Sequence, residues 1–204
     1  MIDCILRYFG SRCMIREDDA YLLYDLASQV SEDVLEIGSM HGCSTCVLAA
    51  AIKANAHKVQ CFAIDPQTQF GNAPTLEGDR EGFGEFHPDY YRRPLATAPE
   101  ALESLRQLSL LSYVSFIVGY SELVGQRWNP QHKFGLIFVD GDHRYWFVKR
   151  DVELWAPHLV EGGYLILHDV DIESVAAVRG ELLASEGFEE RTATHLSSVL
   201  VKLQ

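Results

Sequence analysis

The stretch from Phe134 to Val170, FGLIFVDGDHRYWFVKRDVELWAPHLVEGGYLILHDV, leaves this chain few ways to fold. Its first apolar run, Leu136-Ile137-Phe138-Val139, stops at the acidic cluster Asp140-Gly141-Asp142-His143, and a second, Tyr164-Leu165-Ile166-Leu167, stops at His168-Asp169. Between them Val148, Val152, Trp155 and Leu159 recur at helical spacing, with Pro157 and Gly162-Gly163 as stop signals. A strand, a helix and a second strand in that order form a right-handed crossover that lays both strands parallel in one sheet. Parallel strands end on the same edge. Asp140, His143, His168 and Asp169 therefore converge there, although the span reaches 29 positions. Open α/β sheets bind ligands at that rim, so the chemistry is expected in this place.

With 204 residues, 48% hydrophobic and 23% charged, the chain is expected to fold as one domain over residues 1–204. A formal net charge of −12 argues against a nucleic-acid partner, whose phosphates it would repel. A small neutral or cationic ligand stays open. No apolar run approaches the ~20 residues of a membrane span. The opening MIDCILRYFGSRC is too short in its apolar part, and too charged at Asp3 and Arg7, for a secretory signal. The five cysteines, at 4, 13, 43, 46 and 61, have no framework spacing and read as reduced thiols of a cytoplasmic protein.

Residues 1–30 form an N-terminal helical segment in this reading. Positions 1–16 show little periodicity, whereas acidic residues from Glu17 precede Leu22, Leu23, Leu26, Ala27 and Val30 at helical spacing. Then comes a strand, Val34-Leu35-Glu36-Ile37-Gly38, the turn Ser39-Met40-His41-Gly42-Cys43-Ser44-Thr45, and an alanine-rich helix to about Asn55. A strand that turns through glycines into a helix presents backbone N–H groups to an anion. Gly38 permits the sharp turn, and Gly42 a close approach by a ligand or the neighbouring strand. The pattern is E-x-G-x-x-x-G, with Met40 where a dinucleotide fingerprint has its middle glycine. The second strand, Val59 to Ile64, ends at Asp65, placed to accept hydrogen bonds from ribose hydroxyls. Residues 66–98 break the pattern, and their aromatics Phe70, Phe83, Phe86, Tyr90 and Tyr91 suit a lid or acceptor loop, or else a subunit contact. A helix from Pro99 to Leu108 leads to a third strand, Tyr113 to Val118, and the turn Gly119-Tyr120-Ser121-Glu122.

In order and spacing, Glu36-Ile37-Gly38 with Gly42, Asp65, Asp140-Gly141-Asp142-His143 and Gly162-Gly163 resemble class I S-adenosylmethionine-dependent methyltransferases. EIGSMHGCST and FVDGDHRY are similar to the small-molecule, DGDH-type group within them. The resemblance covers roughly residues 33–170. It implies a Rossmann-like, doubly wound α/β sheet of seven strands in the order 3-2-1-4-5-7-6, strand 7 antiparallel. Phe188–Thr192 and Ser197–Lys202 would be the closing strands. S-adenosyl-L-methionine would be the cofactor, its methionine part at Gly38 and the turn, with Glu36, Ser39, Gly42 and Ser44 in the set. Asp65 would take the ribose, Tyr120 and Ser121 the adenine, and Asp140 would border the same site. Metal-dependent catechol-type and macrolide-sugar O-methyltransferases hold a divalent ion with a carboxylate after strand 4 and two adjacent ligands after strand 5. Asp140, His168 and Asp169 fit that spacing. His143 stands where the macrolide-sugar enzymes have their base.

Methyl transfer to oxygen of a small-molecule acceptor is the expected activity, with positioning supplying much of the rate. A cation, Mg²⁺ or Mn²⁺, would grip acceptor oxygens and lower a hydroxyl pKa. His168 replaces the usual carboxylate, and an imidazole favours Mn²⁺, Fe²⁺ or Zn²⁺ over Mg²⁺. Asp142 is an alternative ligand or a solvated loop residue. Rival readings are a nicotinamide-dependent oxidoreductase, a non-catalytic methyltransferase-like binding protein and a metal-dependent hydroxylase. Cys43-x-x-Cys46 is a weak redox candidate, and His41 a candidate for cofactor or acceptor contact. Trp146 and Trp155 are expected to pack, Asp151 to orient a loop or pair with an arginine. His57, His132, His158 and His195 are expected to be surface or structural. A homo-oligomer is compatible with the N-terminal segment and the lid.

Overall fold

The structure, a computed structural model, describes residues 1–67 and 97–204. The expected lid, with Phe70, Phe83, Phe86, Tyr90 and Tyr91, lies outside the described residues apart from its two ends. The chain runs through α1 (Ile2–Phe9), α2 (Glu17–Ala27), β1 (Asp33–Ile37), α3 (Cys43–Ala54), β2 (Cys61–Asp65), α4 (Ala98–Gln107) and β3 (Val114–Val118). It continues with α5 (Ser121–Gly125), β4 (Phe134–Val139), α6 (Tyr145–Trp155), β5 (Leu159–Leu167), α7 (Glu173–Ala184), β6 (Phe188–Ala193) and β7 (Ser198–Lys202). The seven strands pair in the order β3-β2-β1-β4-β5-β7-β6. β7 is antiparallel to both neighbours, β5 and β6. This is the expected architecture.

The central strands read as unbroken apolar runs because both faces are covered. In β4, Leu136 and Phe138 pack with the α1, α2 and α3 side, while Ile137 and Val139 pack with Val148, Val152 and Trp155 of α6. The apolar residues of α1, Ile2, Ile5 and Phe9, are buried in the first of these clusters. The segment read as weakly periodic is thus a docked helix. Leu159, read as the end of the α6 face, instead begins β5, and that strand runs through Gly162-Gly163 to Leu167. Gly162 has φ +73, so the glycines bend the strand where they were expected to stop a helix.

Cys13 and Cys43 form a disulfide with Cα atoms 5.3 Å apart and a sequence separation of 30, which corrects the expectation of five reduced thiols. Cys4, Cys46 and Cys61 are free. The Cys43-x-x-Cys46 pair is therefore not a redox couple, and burial pushes the Cys46 thiol up to about 12. The bond ties the residues before α2 to the first residue of α3. Closing a loop of this length is worth about 2–4 kcal/mol. Reduction with dithiothreitol is expected to lower the melting temperature by roughly 4–15 °C for a chain of this size. Calorimetry with and without reductant checks this, and an unchanged melting temperature would show that the bond contributes nothing in solution.

Candidate active site

The sheet register builds the rim. Ile37, Val139 and Leu167 are cross-strand partners, as are Ile37 and Ile64, so the residues that follow emerge side by side. The Gly38 N–H donates to the Ile64 carbonyl at 2.9 Å, that of Asp140 to Ile37 at 2.9 Å, and that of His168 to Val139 at 3.1 Å. The pairing is in this way carried one residue past the strands. Gly38, Asp140 and His168 arrive at one edge, with Asp65 beside them.

At the turn after β1, Gly38 has φ +90 and Gly42 φ +86. A Cβ on Gly42 would meet that of Ala101 at 2.9 Å, so the close approach is by helix α4 and not by the neighbouring strand. Asp65 holds the turn from below. Its Oδ2 accepts the Ser39 and Met40 N–H groups, both at 2.8 Å, and its Oδ1 accepts that of Gln67 at 2.6 Å. A carboxylate has about four acceptor positions, so ribose hydroxyls would share this group with the backbone. Glu36 is fully buried beneath the same turn. Its Oε2 accepts the Thr45 hydroxyl at 2.5 Å and that of Ser39 at 3.1 Å, and Ser44 also bonds to this carboxylate. The side chains of Ser39 and Ser44 thus point inward to Glu36, where the resemblance put them on the cofactor. Oε1 of Glu36 has no partner among the described residues. His41 bonds Glu100 of α4 through Nδ1 at 3.0 Å.

Burial raises the Glu36 pKa to about 7, against the three hydroxyls that favour its charged form. The unfolded chain releases this proton near the ordinary 4.5, and the folded chain keeps it to about 7. Stability therefore falls as pH rises through that window. Glu36→Gln is expected to remove the fall, raising stability above pH 7 by roughly 1–3 kcal/mol relative to the wild type. Denaturant titrations at pH 5 and pH 8 test it. A wild type equally stable at both values relative to the variant would refute the buried neutral acid.

After β3, the Gly119 N–H donates to the Asp65 carbonyl at 3.0 Å, which places Tyr120 and Ser121 next to the end of β2. Ser121 Oγ accepts the Trp155 indole N–H at 2.7 Å and also bonds Asp151. Asp151 is buried, with the Ser121 hydroxyl among the groups that favour its charged form. Trp155 is buried as expected, but Trp146 is half exposed near the rim.

The ionisable rim is compact. His143 Nε2 lies 3.0 Å from Asp169 Oδ2 and 3.6 Å from Asp140 Oδ1, at ion-pair distance but without a hydrogen bond's alignment. The Ser174 hydroxyl donates to the His143 carbonyl at 2.5 Å and steadies its loop. His168 Nδ1 lies 3.1 Å from Asp140 Oδ1 and 3.3 Å from Asp169 Oδ2. Asp169 is in the left-handed region at φ +56, a conformation that aspartate tolerates. Desolvation lowers the His143 pKa, but Asp140 and Asp169 outweigh it and raise the value to about 9. The same contest raises His168 to about 12, with Asp140, Asp169 and Asp19 as partners. The contacts with His143 and His168 hold Asp169 well below the usual carboxylate range. Asp142 takes no part in the group, because both its oxygens are gripped by the Arg144 guanidinium.

Ligand atoms of Asp140, His143 and Asp169 all lie within 4.8 Å of one another. Two carboxylates and an imidazole suit a first-row divalent ion such as Mn²⁺. His143 and His168 differ in access, their side chains being 32% and 3% exposed. Sequence reasoning missed Asp19. It falls among the acidic residues of the first turn of α2, and it is fully buried behind His168. Nothing in a linear pattern marks it.

The sheet order, the antiparallel closing strand and the rim define the class I S-adenosylmethionine-dependent methyltransferase fold. The chain covers 94% of itself and 82% of the O-methyltransferase NovP at a TM-score of 0.73 and 16% identity. For the calicheamicin methyltransferase CalS11 the figures are 90%, 76%, 0.63 and 18%. For the SAH-bound Podospora anserina methyltransferase PaMTH1 they are 100%, 88%, 0.64 and 12%. Residues 35–170 match the family model described as a methyltransferase domain, and the chain belongs to that family. Uncharacterized protein y4gI of Sinorhizobium fredii (strain NBRC 101917 / NGR234) is 26% identical over 139 residues, 68% of this chain. The chain spans 13% of the length of that curated relative. Among the described residues no helix is long and apolar enough to cross a membrane.

Proposed function

We propose that this chain transfers a methyl group from S-adenosylmethionine to an oxygen of a small-molecule acceptor, with His143 as general base. One observation carries the reading. The glycine turn held by Asp65 and the Asp140–His143–Asp169 group stand on the same sheet edge, the turn after β1 and the group after the next two strands, β4 and β5. S-adenosylmethionine would supply an electrophilic methyl on a sulfonium. The turn from Gly38 to Gly42 and the first N–H groups of α3 would receive its methionine part, the Glu36 oxygen that has no partner among the described residues lies beneath, and Tyr120 and Ser121 would flank its adenine. His143, whose side chain is 32% exposed, would turn its Nε2 from the carboxylates to take the acceptor's hydroxyl proton.

A divalent cation would be held by Asp140 and Asp169 with the His168 imidazole behind them, and would supply Lewis-acid stabilisation of the acceptor oxygen. The 4.8 Å grouping favours a second arrangement, in which His143 is the third ligand and not the base. Mn²⁺ affinity in His143→Ala and His168→Ala separates the two. In the first arrangement only the latter substitution weakens binding.

The test is a calorimetric titration of chelator-treated protein with S-adenosylmethionine, alone and with Mg²⁺ or Mn²⁺. Saturable one-to-one binding is expected, weakened at least about tenfold in Asp65→Ala, equivalent to roughly 1.4 kcal/mol. No binding under any condition would sink the reading.

A further inference from the structure

Asp19 lies in the first turn of α2, where an acidic side chain ordinarily faces water and offsets the helix dipole. Here it is 0% exposed. A carboxylate removed from water needs partners to hold it. Its Oδ1 accepts the hydroxyls of Thr194 and Ser197, at 2.5 and 2.6 Å, from the turn between β6 and β7. Its Oδ2 faces His168 Nε2 at 3.6 Å, and neither of these two buried atoms has a hydrogen-bond partner among the described residues. The ring's other nitrogen, Nδ1, is the one that meets Asp140 and Asp169.

We propose that Asp19 is a positioning residue for the reactive rim. The two hydroxyls aim its carboxylate, the carboxylate engages the Nε2–H of His168, and Nδ1 is thereby delivered to Asp140 and Asp169. Without Asp19 the ring can turn about its Cβ–Cγ bond, which puts Cδ2 at the rim in place of Nδ1. A carbon there can neither bond the two carboxylates nor ligate an ion. A buried carboxylate behind an imidazole is also the arrangement that orients a histidine ligand at metal centres. The ring geometry stands on its own, whereas its consequence for cation binding rests on the functional reading above.

The experiment uses the full ¹⁵N-labelled chain. The His168 imidazole nitrogen signals are recorded by NMR in the wild type, Asp19→Asn and Ser197→Ala, together with Mn²⁺ affinity by electron paramagnetic resonance and thermal unfolding. Asp19→Asn is expected to move the His168 Nε2 signal and to weaken Mn²⁺ binding about 10–100-fold. Ser197→Ala is expected to produce a smaller change of the same kind, and it carries the test if Asp19→Asn does not fold. A folded Asp19→Asn protein with unmoved His168 signals would overturn the proposal, whatever its melting temperature. If the signals move but the wild type does not bind Mn²⁺, the positioning role stands and the cation reading of the rim fails.

Discussion

His143→Ala is expected to lower the methyl-transfer rate by about 10²–10⁴-fold, the usual contribution of a positioned general base, while S-adenosylmethionine affinity stays unchanged. The reason lies in the rim's geometry. His143 Nε2 is a buried atom within 3.6 Å of two carboxylates, so delivering it to an acceptor hydroxyl requires the partly exposed ring to turn from them. Those carboxylates also keep its proton on to about pH 9. Below that value the neutral, basic fraction grows about tenfold per pH unit. The wild-type rate is therefore expected to climb from pH 6 to 9 and then level off, and the rising limb should vanish in His143→Ala. Stability runs the other way. A histidine with a raised folded pKa stabilises fully below its unfolded value near 6.5, and the contribution is lost as pH rises through about 9. A divalent cation on Asp140 and Asp169 would cancel part of the carboxylate field and move the limb to lower pH. A flat profile from pH 6 to 9, or a fully active His143→Ala protein, would remove His143 from the mechanism.

Gly38→Ala should be the most damaging single methyl group. A Cβ at Gly38 would lie 2.1 Å from the Asp140 carbonyl oxygen, 2.6 Å from its carbon and 2.9 Å from the Gly141 Cα. All three are backbone atoms that cannot rotate away. Overpacking costs about 1–3 kcal/mol and the left-handed backbone at φ +90 another 1–2 kcal/mol or so. A melting-temperature loss of roughly 6–15 °C follows for a chain of this size, together with loss of S-adenosylmethionine binding, because the turn and Asp140 are forced apart. Gly162→Ala is the control. It has φ +73 but nothing within 4 Å of its would-be Cβ, so it carries only the smaller backbone cost and keeps cofactor binding. Equal losses in the two variants would show that conformation, not the contact with Asp140, is what matters at Gly38.

Much of the architecture was legible because it rests on local periodicity. The runs Leu136–Val139 and Tyr164–Leu167 are unbroken because strands covered on both faces have no polar side, and a helix between them forces a parallel pair. From that alone Asp140, His143, His168 and Asp169 had to share an edge. The turn glycines were legible as well, since positive φ at Gly38 and Gly42 is a demand that few other residues meet.

The details of who touches whom were not. Ser39 and Ser44 lie in or beside the glycine turn by sequence, but whether a side chain points outward or to the core depends on the local twist, and here both turn to Glu36. Asp142 stands next to the metal candidates, yet Arg144 two residues on claims its carboxylate. Spacing along the chain was enough to place Asp140, His143, His168 and Asp169 on one edge and the glycine turn after the first strand, whereas the strand order came from the family resemblance. Only the tertiary structure decided the Cys13–Cys43 bond and the burial of Asp19 against His168, Thr194 and Ser197. Those partners are separated by 30 to 178 positions. Contacts of that range arise from how helices α1 to α3 pack on the sheet, and no residue pattern along the chain encodes which buried polar atoms will meet.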